Sequence, residues 1–220
     1  MKRESQKYLC IGLGVLAAFV LWTVAVITVD VRAIGPLDSS VGFAEINGFV
    51  HSLTGSNMFL YELTDLLSIV PLGIVAGFGI KGFLELIKRK SIKKVAPDIL
   101  VLGGFYLLVM GIFLLFEMVV INYRPVLIDG VLEASYPSST TMLVLCVMPT
   151  AVMNIKAYIK CRTQRIILSA SMNVFTAFMV AARLISGVHW FSDIVGGILI
   201  SLALLFIFKA LSFRFIGQKS

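Results

Sequence analysis

The sequence predicts an all-α polytopic membrane protein, one domain over residues 1–220 built as a bundle of six transmembrane helices. Three observations predict it. Of the 220 residues, 59% are hydrophobic and 14% charged, and the mean hydropathy is +0.98, which leaves too little polar surface to enclose a soluble globule. Six apolar runs approach the length that crosses a bilayer's hydrocarbon core. The Lys and Arg residues, finally, cluster in alternate connections between those runs.

The runs cover 8–29, 57–80, 98–121, 139–155, 166–187 and 191–212. The first is too long for a cleavable signal peptide, and no small-residue cleavage site follows it. Between it and the second run, Ile46, Phe49, Val50 and Leu53 recur at i, i+3, i+4, i+7. That spacing predicts an amphipathic helix in the headgroup layer, either shaping a lipid entrance or serving as a plain surface helix. His51 lies on the same segment without a partner nearby in sequence. The second run carries Glu62 and Asp65 in its outer third. Carboxylates there are suspects for function, and these two are expected to hold arginine side chains rather than do chemistry. Pro71 should bend the second run, because proline supplies no N–H to the helix ladder. The fourth run is short and interrupted by Pro149. Cys10, Cys146 and Cys161 have no paired spacing, so neither a disulfide nor a metal site is indicated. No nucleotide-binding glycine loop, metal-binding His cluster or internal repeat is visible, and no cofactor is called for.

Charge sets the orientation. Lys2, Arg3 and Lys7 precede the first run; Lys81, Lys88, Arg89, Lys90, Lys93 and Lys94 fill the second connection; Lys156, Lys160, Arg162 and Arg165 fill the fourth; Lys209, Arg214 and Lys219 end the chain. These are sixteen of the nineteen Lys and Arg, all on one side of a six-span arrangement, and that side is cytoplasmic by the positive-inside rule. Both termini are therefore expected in the cytoplasm, with the plasma membrane as the location. The net charge of +7 reports topology and attraction to anionic headgroups, with no nucleic-acid partner required. The three basic residues left over are Arg32, Arg124 and Arg183.

Two of those three sit in polar stretches that interrupt the apolar pattern. Around the junction of the last two runs stand Arg183, His189 and Asp193, which are costly near a membrane unless they are used. With a helix starting near Trp190, His189 and Asp193 fall one turn apart on one face, so the carboxylate can fix the imidazole tautomer. Arg183 offers a planar cation suited to phosphate. The same residues also read as a juxtamembrane ion pair with an interfacial Trp-His anchor. Arg183, five residues, His189, three residues, Asp193 resembles the third signature of the type 2 phosphatidic acid phosphatase (PAP2) family, membrane relatives of the vanadium haloperoxidases. Upstream, Glu117-x6-Arg124-Pro125 resembles the first signature with Glu in the Lys position. Pro137-Ser138-Ser139-Thr140 resembles the second with Thr in the His position. The signatures occur in family order within 117–193.

The resemblance implies a membrane lipid phosphatase whose nucleophile is His189, oriented by Asp193, with phosphate held by Arg124, Arg183, Ser138 and Ser139. On the charge-derived topology this site faces away from the cytoplasm. The departures bear on chemistry. Thr140 cannot protonate a leaving group as the family's His would, and Glu117 near Arg124 could pair with it and lower affinity for a multiply charged phosphate. A lipid pyrophosphate expels a phosphate monoester, a better leaving group than the alkoxide of a monophosphate. Loss of the acid therefore tilts the expected substrate towards isoprenoid or other lipid pyrophosphates. Alternatively Glu117 serves as the acid, or the chain is an impaired relative that binds lipid phosphate, or, less in keeping with its apolar cytoplasmic halves, a lipid transporter. In each case the partner is a membrane lipid.

Overall fold

The computed structural model describes residues 2–155 and 159–216; Lys156 and Lys219, counted above, lie outside them. Among the described residues the chain forms α1 (Lys2–Thr28), a two-residue antiparallel hairpin β1 (Arg32–Ala33) and β2 (Ser40–Val41), then α2 (Ala44–Thr54), α3 (Met58–Leu67), α4 (Ile69–Arg89), α5 (Pro97–Met118), α6 (Ser139–Ile155), α7 (Arg162–Ile185) and α8 (Phe191–Phe215). In the hairpin Arg32 faces Val41 and Ala33 faces Ser40.

Local chemistry sets the boundaries. Asn57 caps α3 by accepting from the Leu60 N–H at 3.0 Å, satisfying one of the free donors of a first turn. Pro97 opens α5, where its fixed φ suits a helix start and its missing N–H costs nothing. α3 and α4 form one apolar stretch, Met58–Arg89, broken at Ser68. The break falls just ahead of Pro71, whose ring nitrogen gives the Leu67 carbonyl no partner, so the bend lies slightly earlier than the proline itself.

Among the described residues, five helices or helix pairs, α1, α3–α4, α5, α7 and α8, are long and apolar enough to cross a membrane. The 17 residues of α6 span only roughly 25 Å at 1.5 Å per residue, short of a core about 30 Å thick. α6 lies inside the bundle, with Thr140, Val144, Cys146, Met148 and Ala151 buried, and packs on α7 and α8. α8 is the other central helix. α1 runs antiparallel along it in the most extensive helix pairing of the fold. One end of that pair is tied by Ser5 Oγ donating to the Ala210 carbonyl at 2.8 Å, the other by Trp22 Nε1 donating to the Ser192 carbonyl at 3.1 Å. One apolar cluster joins Phe19, Phe105, Met142, Leu204 and Phe208; a second joins Val144, Met148, Met172 and Met179. Large side chains such as Leu21, Phe83, Leu107 and Val174 point outward, as befits helices whose surroundings are hydrocarbon.

α2 forms where the spacing places it. Its Phe49 and Leu53 are 62% and 70% exposed, while Asn47 is fully buried. The apolar face therefore looks away from the protein and the polar residue inward, the reverse of a helix on a water-soluble domain.

Candidate functional site

At the end of the bundle opposite the chain's N-terminus, the 186–190 connection, the 119–138 connection and α3 meet. The 186–190 turn is built on Gly187, whose φ of +64° is left-handed and whose missing Cβ makes room for the Gly55 carbonyl; any side chain there would be strained and would clash. The turn delivers His189 just ahead of α8. Asp193, in the first turn of α8, accepts from the Trp190 N–H at 2.9 Å through Oδ2 and from Asn122 Nδ2 at 3.3 Å through Oδ1. It is fully buried, and His189 is 3% exposed.

The His189 ring is held at both nitrogens. Nδ1–H donates to the Ser135 carbonyl at 3.2 Å, with Asp193 Oδ2 behind it at 3.8 Å. On the far side Arg124 Nη1 donates to Nε2 at 3.0 Å. A guanidinium can only donate, so Nε2 carries the lone pair and the imidazole is neutral. Burial pushes its pKa down, and the Arg124 and Arg183 charges push the same way; Asp193 pulls it up, and the result is about 4. Such a ring keeps a nucleophilic nitrogen throughout the ordinary pH range.

The 119–138 connection folds back on itself, with bridges between Tyr123 and Ala134 and between Ile128 and Val131. This sets Glu133 beside Arg124, and Arg124 Nε donates to Glu133 Oε2 at 3.0 Å. Glu117, which could have paired with Arg124, does not do so among the described residues. Its exposed side chain lines a small cavity that also contains His189, Ser135 and Ser139. The reason is geometric: Glu117 lies in the last turn of α5, while Arg124 has turned into the folded-back loop where Glu133 is its carboxylate partner.

Arg183 is almost fully buried. Its Nη1 donates to Thr64 Oγ1 at 2.9 Å and to the Tyr61 carbonyl at 3.2 Å, and Nη2 stands 3.6 Å from Asp65 Oδ1. Its Nε has no hydrogen-bond partner among the described residues. Tyr61 presents its ring to both arginines, 4.6 Å from the Arg183 guanidinium and 5.6 Å from that of Arg124, distances at which a ring face attracts a cation. Asp65 thus holds an arginine, whereas Glu62 is exposed and forms no ion pair among the described residues. Ser138, whose N–H donates to the Asp193 carbonyl, keeps a buried Oγ without a partner among the described residues. Ser139 and Thr140 open α6. His51 packs against Trp190, ring centroids 5.5 Å apart, and so touches the neighbour of His189 rather than the site itself; burial lowers its pKa, opposed by the Gly187 backbone.

The structure thus brings Arg124, His189 and Asp193 into direct or near contact, with Arg183 across Tyr61 and Ser138 and Ser139 at the adjoining helix start. Tyr61, Thr64, Asn122, Glu133 and Ser135 escaped the sequence reading. A weak signal existed for two of them, since Tyr61, Thr64 and Asp65 recur at the spacing of one helix face.

A family model described as the PAP2 superfamily matches residues 72–216, a stretch that includes every residue from Glu117 to Asp193; Tyr61, Thr64 and Asp65 lie ahead of it. No curated protein matches. Among solved structures, a transmembrane PAP2-type phosphatidylglycerolphosphate phosphatase from Bacillus subtilis has a similar fold, with a TM-score of 0.61 and 18% identity over 94% of this chain and 98% of that one.

Proposed function

Because this chain belongs to the PAP2 superfamily, we propose that it is a multi-pass membrane phosphatase of lipid phosphates, acting through His189 and preferring isoprenoid or other lipid pyrophosphates. The observation that carries this reading is the His189 ring, neutral, protonated at Nδ1 and offering Nε2 to the Arg124 guanidinium at 3.0 Å. A phosphate entering there replaces that hydrogen bond, with its oxygens on Arg124, on the Ser138 and Ser139 hydroxyls and on the free N–H groups at the start of α6. Nε2 then attacks phosphorus, the bond from phosphorus to the bridging oxygen breaks, and the positive imidazole that results is stabilised by Asp193. Water releases phosphate from the phosphohistidine.

No residue in the second signature can protonate the departing oxygen, because Thr140 is no acid near neutrality. A pyrophosphate needs little help; a monophosphate does. Arg124 and Arg183 supply the cationic charge, so the reaction proceeds without metal; the partition of basic residues supports a site on the extracytoplasmic face, which we read as that of the plasma membrane. The chain is read as a single domain over 1–220. Thr140 also supports a second reading, a protein that binds lipid phosphate without turnover. Purified protein in detergent, assayed with lipid monophosphates and pyrophosphates alongside His189→Ala, separates the two. Pyrophosphate hydrolysis with an acid-labile phosphohistidine, absent in the variant, supports the enzyme; binding with neither product nor phosphohistidine supports the second reading.

A further inference from the structure

Beside the site a cavity of about 250 Å³ runs between α4, α5 and α6. Its mouth carries Asp65, Ser139 and Thr140, and its walls are apolar. Phe113, Ser139 and Met142 border both this cavity and the smaller one that contains His189, so the two are neighbours. Residue numbers rise inward along α4 and α6 and fall inward along α5. The innermost lining residues are accordingly Val75, Tyr106 and Val147. From Ser139 to Val147 the helix advances roughly 12 Å at 1.5 Å per residue, against about 15 Å for one leaflet of a 30 Å core. A polar mouth next to an anion site and an apolar bore of nearly leaflet depth fit an amphiphile with a phosphate head and one hydrocarbon chain.

The floor of this bore is fixed. Tyr106 OH lies 3.1 Å from Thr150 Oγ1, and the buried Thr150 hydroxyl donates to the Cys146 carbonyl at 2.7 Å. Swinging the Tyr106 ring aside would strand its hydroxyl where no water replaces the lost bond. We propose that this cavity takes the substrate's hydrocarbon chain and that Tyr106, pinned by Thr150, is the wall that sets the chain length accommodated. A chain ending above Tyr106 fits whole; a longer one must leave sideways into the bilayer. The proposal rests on the reading of the neighbouring site as a lipid-phosphate site.

The test measures binding, not turnover, of straight-chain alkyl phosphates of increasing length to the full chain carrying His189→Ala in detergent micelles. Affinity should rise with length and then stop rising. Adding Tyr106→Ala should move that break to longer chains, and Tyr106→Phe, which keeps the ring but loses its bond to Thr150, should move it by less. Val147→Trp should move it to shorter chains and weaken the longest by about tenfold or more, the scale of overpacking a filled apolar site. A length dependence with no break, or one break shared by all variants whose melting temperatures show them folded, overturns the proposal, as does failure to bind any chain. Absence of hydrolysis by the His189-intact protein would sink the phosphatase reading while leaving the break in affinity readable.

Discussion

At position 140 a hydroxyl stands where a proton donor would serve the leaving group. Thr140→His should therefore raise hydrolysis of lipid monophosphates selectively, by the ~10²- to 10⁴-fold typical of general acid catalysis, with little change for pyrophosphates. Glu117 shares the His189 cavity, so the double variant with Glu117→Lys should exceed the single one, neighbouring charges being coupled; steady-state rates on both substrate classes decide it. His189 gives the pH dependence. Burial and the flanking arginines hold its pKa down, to about 4 from the ordinary 6.5, so the proposed nucleophile stays neutral well below pH 6. A direct NMR titration of the His189 imidazole should have its midpoint near pH 4, and a midpoint near 6.5 would contradict the buried, Arg-flanked ring. The same shift has a stability sign. As pH falls from 6.5 to 4 the unfolded chain binds a proton that the native one does not, so native stability is lost across that window and is unaffected above it; His189→Gln should remove that part of the loss in thermal melts. That Arg124, His189 and Asp193 come together was legible, because residue type and fixed spacing group them within two short stretches. Glu133 and Ser135 were not, since only the fold-back of the 119–138 connection brings them to Arg124 and His189.

Among the elements, α2 and α3 do most to hold the site without belonging to its motifs. Asn47 on α2 donates to the Gly42 carbonyl at 2.7 Å and Ser192 Oγ at 2.9 Å, and accepts from the Ser192 N–H at 3.0 Å, next to Asp193. Asn47→Ala takes this partner from the buried Gly42 carbonyl and Ser192 N–H at about 1–3 kcal/mol each, while Ser192 Oγ keeps Asn122. It should lower the melting temperature in detergent, while Phe49→Ala on the outward face should leave it nearly unchanged. α2 was legible as an amphipathic helix but not in its orientation, because periodicity tells which residues share a face and not what the face meets. The bend of the second span was legible from Pro71. α6 gave the weakest signal for a physical reason: enclosed by its neighbours, it neither needs full bilayer length nor a uniformly apolar surface, and it tolerates Thr140, Thr141 and Thr150, all buried.

Over the whole molecule, helix direction and charge combine into one statement about sidedness. The N-terminus of α1 meets the C-terminus of α8 at the Ser5–Ala210 bond, and the Arg89 guanidinium is bonded to the Lys94 carbonyl in the connection between α4 and α5. The other end of the bundle holds the buried arginines, His189 and the 119–138 connection, with Arg124 already committed to Glu133. If a surplus of Lys and Arg marks the cytoplasmic side, the site opens to the opposite face and meets lipids of the outer leaflet. Cysteines introduced at Asp129 or Gly130, in a background where the free Cys10, Cys146 and Cys161 are replaced by serine or alanine, should react with an impermeant thiol reagent applied to intact cells. A cysteine at Lys90 should react only after the membrane is opened. The reverse pattern would put the phosphate site in the cytoplasm and would require a cytoplasmic lipid phosphate as substrate, while labelling of both positions from outside would break the alternation of spans on which the sidedness rests.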